Sequence, residues 1–242
     1  MMSTSLKSKL LLKKLLGFEI NSKVELNCTH QHIHDWCICP IGITSESNIL
    51  SLGIGNDISF DKGIINNYNC TVYAFDPTPR WIEWIKTQEV PEKFHFFPYA
   101  ISAQNGTIKL YPRMPKGKPS STMLTLVNEG ENNNDGIVVT TKNIKTITSD
   151  LNISKIDILK MDIEAAEYEV IDNFLTDNVP VYQLLVEFHH RFKSVNIKQT
   201  KNSIKKLFDA GYRIFYISKK AREYSFIHEK TYKELCKTTI NS

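Results

Sequence analysis

Apolar positions along residues 48–228 follow two alternating patterns. Short apolar runs predict buried strands at residues 48–52, 70–75, 95–101, 106–111, 136–141, 157–161, 181–188, 212–217 and 224–228. Stripes at i, i+3 and i+4 predict helices at residues 60–68, 78–85, 168–175 and 197–208. Strands that alternate with helices are typical of an α/β fold with a doubly wound parallel sheet. The last two strands are separated by only a short polar turn, so we expect the final strand to run antiparallel to its neighbour.

The length of 242 residues suits one large α/β domain or two small ones. We assign residues 48–242 to the main domain and residues 1–47 to an N-terminal extension or cap. The polar stretch 112–135 is predicted to be a long loop, and we expect it, with Ser121, to shape a substrate pocket.

The composition, with 41% hydrophobic and 23% charged residues, is that of an ordinary soluble domain. The net charge of +4 comes without a basic run, so we expect no nucleic-acid partner. Leucine and lysine alternate near the start, with no apolar segment long enough for a signal peptide or a membrane span. This pattern predicts no stable membrane insertion and favours a cytoplasmic location.

The segment CTHQHIHDWCIC, residues 28–39, contains three histidines and three of the five cysteines. Structural zinc sites usually space their cysteines as C-x₂₋₄-C with a second pair farther along the chain, whereas this segment has C-x-C. An odd number of cysteines at irregular spacing also argues against a disulfide framework. We therefore predict no metal site in the chain and expect this segment to pack beside the active site.

Ligands of doubly wound sheets bind at the carboxyl ends of the strands. After the first strand of the main domain the sequence reads Gly53-Ile54-Gly55-Asn56-Asp57, and Asp76-Pro77 follows the second strand. Glycines allow a sharp turn and a close approach of a ligand to the backbone. An acid about 20 residues after the glycines is placed to accept hydrogen bonds from a ribose. The alternative is that these residues have only a structural role, as a turn at the glycines and an Asp-Pro turn at Asp76.

The glycine loop lacks features that two common nucleotide sites require. The third glycine of a dinucleotide fingerprint is replaced by Ile58, and no Walker loop occurs. Asp57, near the start of the next helix, would repel a pyrophosphate and would suit a sulfonium or ammonium cation. The loop therefore favours S-adenosylmethionine as the cofactor over NAD(P), which would indicate an oxidoreductase instead.

Acidic residues and histidines follow the next two buried strands. Asp162 and Glu164 lie in KMDIEAAEYEVI, and Glu187, His189 and His190 lie in LLVEFHHRF. We interpret Asp162, Glu187 and His189 as candidate catalytic bases, and Glu164 and His190 as substrate contacts. The alternative is structural, because acids at a helix N-terminus are stabilising and histidines are often satisfied within a core.

The stretches ILKMDIEAAEYEVI, YAFDPTP and LLVEFHHRF resemble the FkbM-type S-adenosylmethionine-dependent methyltransferases, over roughly residues 37–228. SLGIGNDISFD followed by YAFDPTP is similar to the animal methyltransferase-like branch of that group. The resemblance implies a class I methyltransferase (Rossmann-like) fold, with strand order 3-2-1-4-5-7-6 and strand 7 antiparallel. It also implies methyl transfer, usually to a hydroxyl oxygen.

By the same resemblance, site residues can be assigned by motif. Gly53 and Gly55 would line the methionine moiety, Asp76 would hold the ribose, and Ala100, Ile101 and Ser102 would lie by the adenine. Asp162, Glu164 and Glu187 would line the acceptor side. Two stretches depart from the family pattern. Ala165 replaces a glycine, which is harmless if that residue is helical. Ser51 replaces an acid of the first strand, and a second loop glycine is replaced near Asp57.

The sequence thus predicts an S-adenosylmethionine-dependent O-methyltransferase that acts on a small molecule or a glycan. The alternative is a non-catalytic binding or scaffold protein that keeps the same fold.

Overall fold

The computed structural model of the chain describes residues 8, 12, 19–114, 118, 120, 123–125, 128, 136–192 and 195–240. Its strands are β1 (Gln31–Ile33), β2 (Trp36–Ile38), β3 (Asn48–Leu52), β4 (Thr71–Phe75), β5 (Phe94–Phe97), β6 (Ala100–Ile101), β7 (Gly106–Pro112), β8 (Leu124–Thr125), β9 (Ile137–Lys142), β10 (Ile156–Met161), β11 (Val181–Glu187), β12 (Tyr212–Ile217) and β13 (Glu223–His228). Its helices are α1 (Ser59–Tyr68), α2 (Pro79–Ile85), α3 (Ile144–Asp150), α4 (Glu167–Thr176), α5 (Ile197–Asp209) and α6 (Glu229–Ile240). None of the helices in this part of the chain is long and apolar enough to cross a bilayer.

A seven-stranded sheet forms the centre of the fold, in the order β12-β13-β11-β10-β3-β4-β5. Read from β5 and renumbered along the chain, this order is 3-2-1-4-5-7-6. The strands from β5 to β11 are parallel, and β13 runs antiparallel to both β11 and β12. The class I methyltransferase fold expected from the resemblance is therefore confirmed.

A second, four-stranded sheet of order β6-β9-β7-β8 lies beside the central one. The single strand expected at residues 95–101 is in fact two strands, β5 and β6, which belong to different sheets. Pro98 lies at the break, and proline has no N–H for a strand ladder. The stretch 112–135, predicted to be a loop, contains β8. Ser121 lies outside the described residues.

Residues 19–47 pack against the central sheet through the hairpin β1–β2, which the hydrophobic pattern did not predict. The side-chain amide of Gln183 on β11 accepts from the backbone N–H of Cys39 at 2.8 Å and donates to its carbonyl at 2.7 Å. Ser225 on β13 donates to the carbonyl of Cys37 at 2.8 Å. Cys37 and Cys39 are buried in the apolar layer on this face of the sheet. The assignment of residues 1–47 as an extension separate from the main domain stays a prediction.

A buried ion pair holds the start of this segment. Glu19 is 1% exposed and lies 2.6 Å from the ring Nε2 of His190. The Arg191 guanidinium donates from Nε and Nη2 to the other carboxylate oxygen, at 3.1 and 2.6 Å. Burial alone would raise the pKa of Glu19, but the hydrogen bonds from His190 and Arg191 and the Arg191 charge lower this pKa to about 2. Glu19 therefore connects the N-terminal segment to the loop that follows β11.

The connection between β10 and α4 has an unusual backbone. Glu164 and Ala165 have φ angles of 52° and 84°, in the left-handed region that disfavours residues with a Cβ. Ala165 is not helical, because α4 begins only at Glu167, so the condition under which its replacement of a glycine would be harmless is not met. The connection turns left-handed so that Glu164 can face the sheet edge while Glu167 enters the core.

We expect Glu19→Gln to lower the free energy of unfolding at pH 7 by about 2–3 kcal/mol. This loss is at or below the usual cost of breaking a buried ion pair, because Arg191 stays partly exposed. The control is Glu25→Gln, an exposed acid of the same segment, which should be neutral. The pKa of Glu19 is lowered in the folded state, so its contribution is complete above the unfolded pKa of about 4.5 and is lost as the pH falls toward 2. Urea unfolding at pH 7 and at pH 3 checks both points. An equal difference at the two pH values would contradict the assignment.

We expect Ala165→Gly to raise the free energy of unfolding by roughly 0.5–1 kcal/mol, since relief of the left-handed strain exceeds the entropy cost of glycine. For a chain of this size that is a rise in Tm of about 1–4 °C. Ala166→Gly is the matched control, because Ala166 has a φ of −85° and should be destabilised by the same exchange. Thermal melting followed by circular dichroism measures both. A fall in Tm for Ala165→Gly would show that its methyl group matters more than its backbone.

Candidate active site

A cavity of about 420 Å³ opens at the carboxyl ends of β3 and β4. Eight of the nine residues predicted to lie at the cofactor line it: Gly53, Gly55, Asn56, Asp57, Asp76, Pro77, Ala100 and Ile101. Ser102 does not line it, since its side chain is buried and its hydroxyl accepts a hydrogen bond from Thr141. The register explains this convergence, because Leu52 pairs with both Phe75 and Met161, so the residues that follow three strands emerge side by side. The second sheet contributes an apolar wall with Ile108 and Leu110.

The two glycines of the loop have different requirements. Gly53 has a φ of +75°, and a Cβ there would lie 1.8 Å from the backbone carbonyl oxygen of Asp162. Gly55 has a φ of +53°, and a Cβ there would meet nothing within 4 Å. Gly53 is therefore needed for close packing of β3 against β10. Gly55 keeps its backbone open toward the cavity.

Asp76 fixes the loop from the neighbouring strand. It is 4% exposed and accepts hydrogen bonds from the backbone N–H groups of Gly55 and Thr78, both at 2.9 Å. Burial raises the pKa of Asp76, and the two backbone hydrogen bonds oppose that rise. Its carboxylate oxygens retain further lone pairs that can accept from a ligand.

Lys160 is a support that sequence reasoning missed. Its ammonium donates to the carbonyl of Gly53 at 3.0 Å and lies over the ring of Trp36, 5.2 Å from the centroid. Asp61 on α1 is buried nearby, where burial raises its pKa and the Lys160 charge partly offsets that effect. The sequence did contain a sign of this role, because Lys160 lies within the apolar strand β10 and a buried lysine requires partners.

The charge of the cavity is uniformly negative. Four acids contribute to the described lining, namely Asp57, Asp76, Asp162 and Glu164, and no lysine or arginine does so. A hydrogen bond from Ser59 lowers the pKa of Asp57, which therefore stays ionised at the start of α1. Such a lining favours a ligand with sulfonium and ammonium groups and disfavours a pyrophosphate.

Acids and a histidine gather at the edge of this cavity. Met161 pairs with Val186, so Asp162 and Glu187, the residues that follow, lie next to each other at the ends of β10 and β11. One ligand atom from each of Asp162, Glu187 and His189 lies within 4.8 Å of the others. The three residues predicted to be catalytic are thus brought together.

Glu167 orients His189. This glutamate is 0% exposed, accepts from the backbone N–H of His189 at 2.9 Å and lies 3.1 Å from its ring Nδ1. Its second oxygen accepts from the backbone N–H of Ala165 at 2.9 Å. Because a carboxylate only accepts, Nδ1 carries the proton and Nε2 points toward Asp162 and Glu164, at 3.6 and 3.8 Å.

The cluster shifts the pKa values of its members. Burial and the neighbouring Asp162 charge raise the pKa of Glu187 to about 7. Burial would lower the pKa of His189, but the hydrogen bond and charge of Glu167, together with Asp162 and Glu164, raise it to about 9. Both shifts follow from several acids that share one partly buried volume.

Glu164, which we predicted to contact the substrate, lies at the edge of the cavity. Its carboxylate pairs with Arg113 at 3.2 Å, and its backbone carbonyl accepts from Thr125 of β8 at 2.8 Å. His190 is not brought to the cavity. Its ring faces Glu19, a contact that favours a structural role, and its assignment to the substrate side stays a prediction.

The family model described as the methyltransferase FkbM domain matches residues 43–214. The probable methyltransferase-like protein 24 of Homo sapiens is 23% identical over 181 residues, which are 71% of this chain and 42% of that protein. Its Rattus norvegicus counterpart is 24% identical over 199 residues, which are 81% and 46% of the two chains. The chain thus spans less than half the length of these curated relatives.

Solved structures with similar folds include the fibrillarin pre-rRNA processing protein of Methanococcus jannaschii, with a TM-score of 0.45, 15% identity and coverage of 87% of this chain and 86% of that one. The fibrillarin of Aeropyrum pernix, described with natively bound S-adenosyl-L-methionine, has a TM-score of 0.41, 12% identity and coverage of 76% and 66%. These values are too low to support an argument about substrate.

The matched residues 43–214 include the glycine loop, Asp76 and the whole acid–histidine cluster. The chain belongs to the family of methyltransferases with an FkbM domain, and S-adenosylmethionine is its cofactor.

Proposed function

We propose that this chain is an O-methyltransferase that transfers the methyl group of S-adenosylmethionine to a hydroxyl group of a small molecule or a glycan. The main support for the proposal is that the cavity and the acid–histidine cluster have residues in common. Asp162 and Glu164 line the cavity that contains Gly53, Gly55 and Asp76, and they also belong to the cluster with Glu187 and His189. A methyl donor in the cavity and an acceptor at the cluster would therefore be neighbours.

The residues of the cavity would hold the cofactor in a fixed orientation. Asp76 would accept from the ribose hydroxyls, Ala100 and Ile101 would contact the adenine, and the negative lining would attract the sulfonium and ammonium groups. S-adenosylmethionine supplies a methyl group that is already activated for transfer. The chain's main tasks are to align the acceptor oxygen with that methyl group and to remove the hydroxyl proton.

Asp162 is the first candidate for the proton acceptor, since it lines the cavity directly. Glu187 and His189 lie behind it in the cluster and are the next candidates. In the balanced reaction the S–CH₃ bond breaks as the O–CH₃ bond forms, and the hydroxyl proton passes to the cluster. The products are a methyl ether and a neutral thioether.

A small acceptor is supported by the walls on two sides of the cavity. The second sheet, with Thr125 and Leu110, covers one side of it, and Arg113 closes the edge near Glu164. The absence of a basic run in the sequence supports an acceptor other than a nucleic acid.

We expect Asp76→Asn to weaken S-adenosylmethionine binding by about 10- to 100-fold, because hydrogen bonds to a charged group contribute roughly 1.5–3 kcal/mol. Isothermal titration calorimetry measures the affinity. The matched control is Asp35→Asn, an exposed acid of the β1–β2 turn, which should bind like the unaltered chain. Titration with NADH should give no heat. Preferential binding of NADH would overturn the assignment of the cavity.

We expect Asp162→Asn to abolish turnover while S-adenosylmethionine affinity stays within a few-fold, because the carboxylate acts on the acceptor side. Formation of S-adenosylhomocysteine from a panel of phenols, sugars, RNA and metabolite extracts measures turnover. Unchanged turnover would refute the role of Asp162, and methylation confined to RNA would refute the acceptor class. If the chain binds the cofactor but methylates nothing in the panel or in extracts, the non-catalytic alternative gains support.

A further inference from the structure

The acid–histidine cluster has a geometry that the proposed reaction does not by itself require. Asp162 and Glu187 end neighbouring parallel strands, and His189 lies two residues farther along the chain. Their ligand atoms all lie within 4.8 Å of one another. Opposite ligands of one ion lie about 4.0–4.6 Å apart, since metal–ligand bonds to nitrogen and oxygen are about 2.0–2.3 Å long. The Asp162 and His189 atoms, at 3.6 Å, already satisfy this limit, and a small side-chain movement would bring Glu187 to the same ion.

The ring of His189 points a nitrogen without a hydrogen bond into the cluster. The side chain is 7% exposed, and Nδ1 is bound to Glu167 at 3.1 Å. Nε2 has no hydrogen-bonding partner within the described residues, and its nearest carboxylate oxygens are the Asp162 and Glu164 atoms at 3.6 and 3.8 Å. Nε2 is therefore available to an incoming ligand.

Glu167 and His189 form the pair that usually supports a metal-binding histidine. Such histidines donate their other N–H to a carboxylate or a carbonyl, which fixes the tautomer and the ring orientation. Glu167 is held on both of its oxygens by backbone N–H groups and is therefore rigid. The arrangement directs the Nε2 lone pair toward the space between Asp162 and Glu187.

The charges around the cluster also favour a cation. Three acids, Asp162, Glu164 and Glu187, border the cluster, and the buried Glu167 lies behind the histidine. On the basic side, Arg113 pairs with Glu164 at 3.2 Å, and the half-exposed Arg222 lies 3.8 Å from Glu187. His189 is the remaining basic group, so a protonated His189 is the alternative source of neutralisation.

We propose that Asp162, Glu187 and His189 bind a divalent cation of the Mg²⁺ or Mn²⁺ type, with Glu164 at the edge of its coordination sphere. Two carboxylates and one imidazole suit an octahedral ion, and hard oxygen ligands favour Mg²⁺ and Mn²⁺ over softer metals. Three protein ligands leave three positions for water or for an acceptor. This differs from the sequence-based prediction of no metal, which considered only residues 28–39.

The catalytic part of this inference rests on the proposed function. The cation would orient the acceptor's hydroxyl oxygen and favour loss of its proton. The three groups would then be ligands instead of bases, and the proton would pass to Glu164, which lines the cavity. The bond changes are those already given: the O–CH₃ bond forms as the S–CH₃ bond breaks. The coordination positions that the protein leaves open would suit an acceptor with two neighbouring oxygens.

The test is a titration of the EDTA-treated, dialysed chain with MnCl₂, in which the electron paramagnetic resonance signal of free Mn²⁺ is followed. We expect one bound ion per chain. The isosteric changes Asp162→Asn and Glu187→Gln should each weaken binding at least ten-fold. Glu167→Gln, which touches only the histidine, should weaken it by about 10- to 100-fold. Asp172→Asn on α4, whose carboxylate faces Lys206, is the matched control and should bind like the unaltered chain.

Circular dichroism melting confirms that each variant is folded. Absence of Mn²⁺ binding up to millimolar concentration, or equal binding by the folded variants, would overturn the cation site. Methyl transfer at full rate in EDTA would overturn its catalytic role and leave the O-methyltransferase proposal intact. Conversely, Mn²⁺ binding that depends on the cluster, without transfer to any acceptor, would support the cation site and count against the proposed function.

Discussion

The close approach of Gly53 to the backbone of Asp162 is the constraint on which the site depends. A Cβ at residue 53 would lie 1.8 Å from the Asp162 carbonyl oxygen, so the chain can pass there only as glycine. The contact joins the end of β3 to the end of β10, and the backbone N–H of Asp162 donates to Leu52 at 3.0 Å. It therefore sets the distance between the cofactor loop and the first acid of the cluster. A glycine that looked like part of a ligand-binding turn mainly serves to bring two strand ends together.

The acids of the site keep their positions because each has a specific partner. Asp76 accepts from two backbone N–H groups, Glu167 binds His189 and Ala165, and Glu164 pairs with Arg113. Leaving a buried carboxylate without hydrogen bonds would cost several kcal/mol. These partners lie in segments that follow different strands, so the acids of the cavity are held in place only in the assembled sheet. Ligand attraction and folding thus depend on the same contacts.

Much of the fold could be predicted because the strands of the central sheet are short apolar runs with helical stripes between them. The antiparallel final strand followed from the length of the turn at residues 218–223. The hairpin β1–β2 could not be predicted, since its three-residue strands are too short for a period to appear. Helix α3 was missed because its two buried apolar residues, Ile144 and Ile147, do not complete an i, i+3, i+4 stripe, unlike those of the equally short α2. The hydrophobic pattern of a segment indicates only which of its own residues are buried. These short elements are instead stabilised by long-range contacts, such as that of Cys39 with Gln183.

For the site, residues at strand ends could be predicted from position alone, and their supports could not. Asp76, Asp162 and Glu187 each follow or end an apolar strand, and the parallel sheet brings those ends to one edge. Lys160 and Glu167 are different, because each acts through a partner more than 20 residues away in sequence. His189 and His190 show the limit most clearly. They are adjacent in sequence, yet one faces the cluster and the other faces Glu19.

The strained turn at Glu164 and Ala165 explains why the acidic stretch does not simply start a helix. In a helix, residues 164 and 167 would lie on one face, and both carboxylates would point in the same direction. The left-handed turn instead sends Glu164 to the cavity and lets Glu167 reach His189 from within the core. Backbone strain of this kind persists when the surrounding contacts determine it, here the hydrogen bonds of Thr125 to Glu164 and of Ala165 to Glu167. Glu164 and Glu167, although only three residues apart, thus have different positions: Glu164 faces the cavity and Glu167 holds His189.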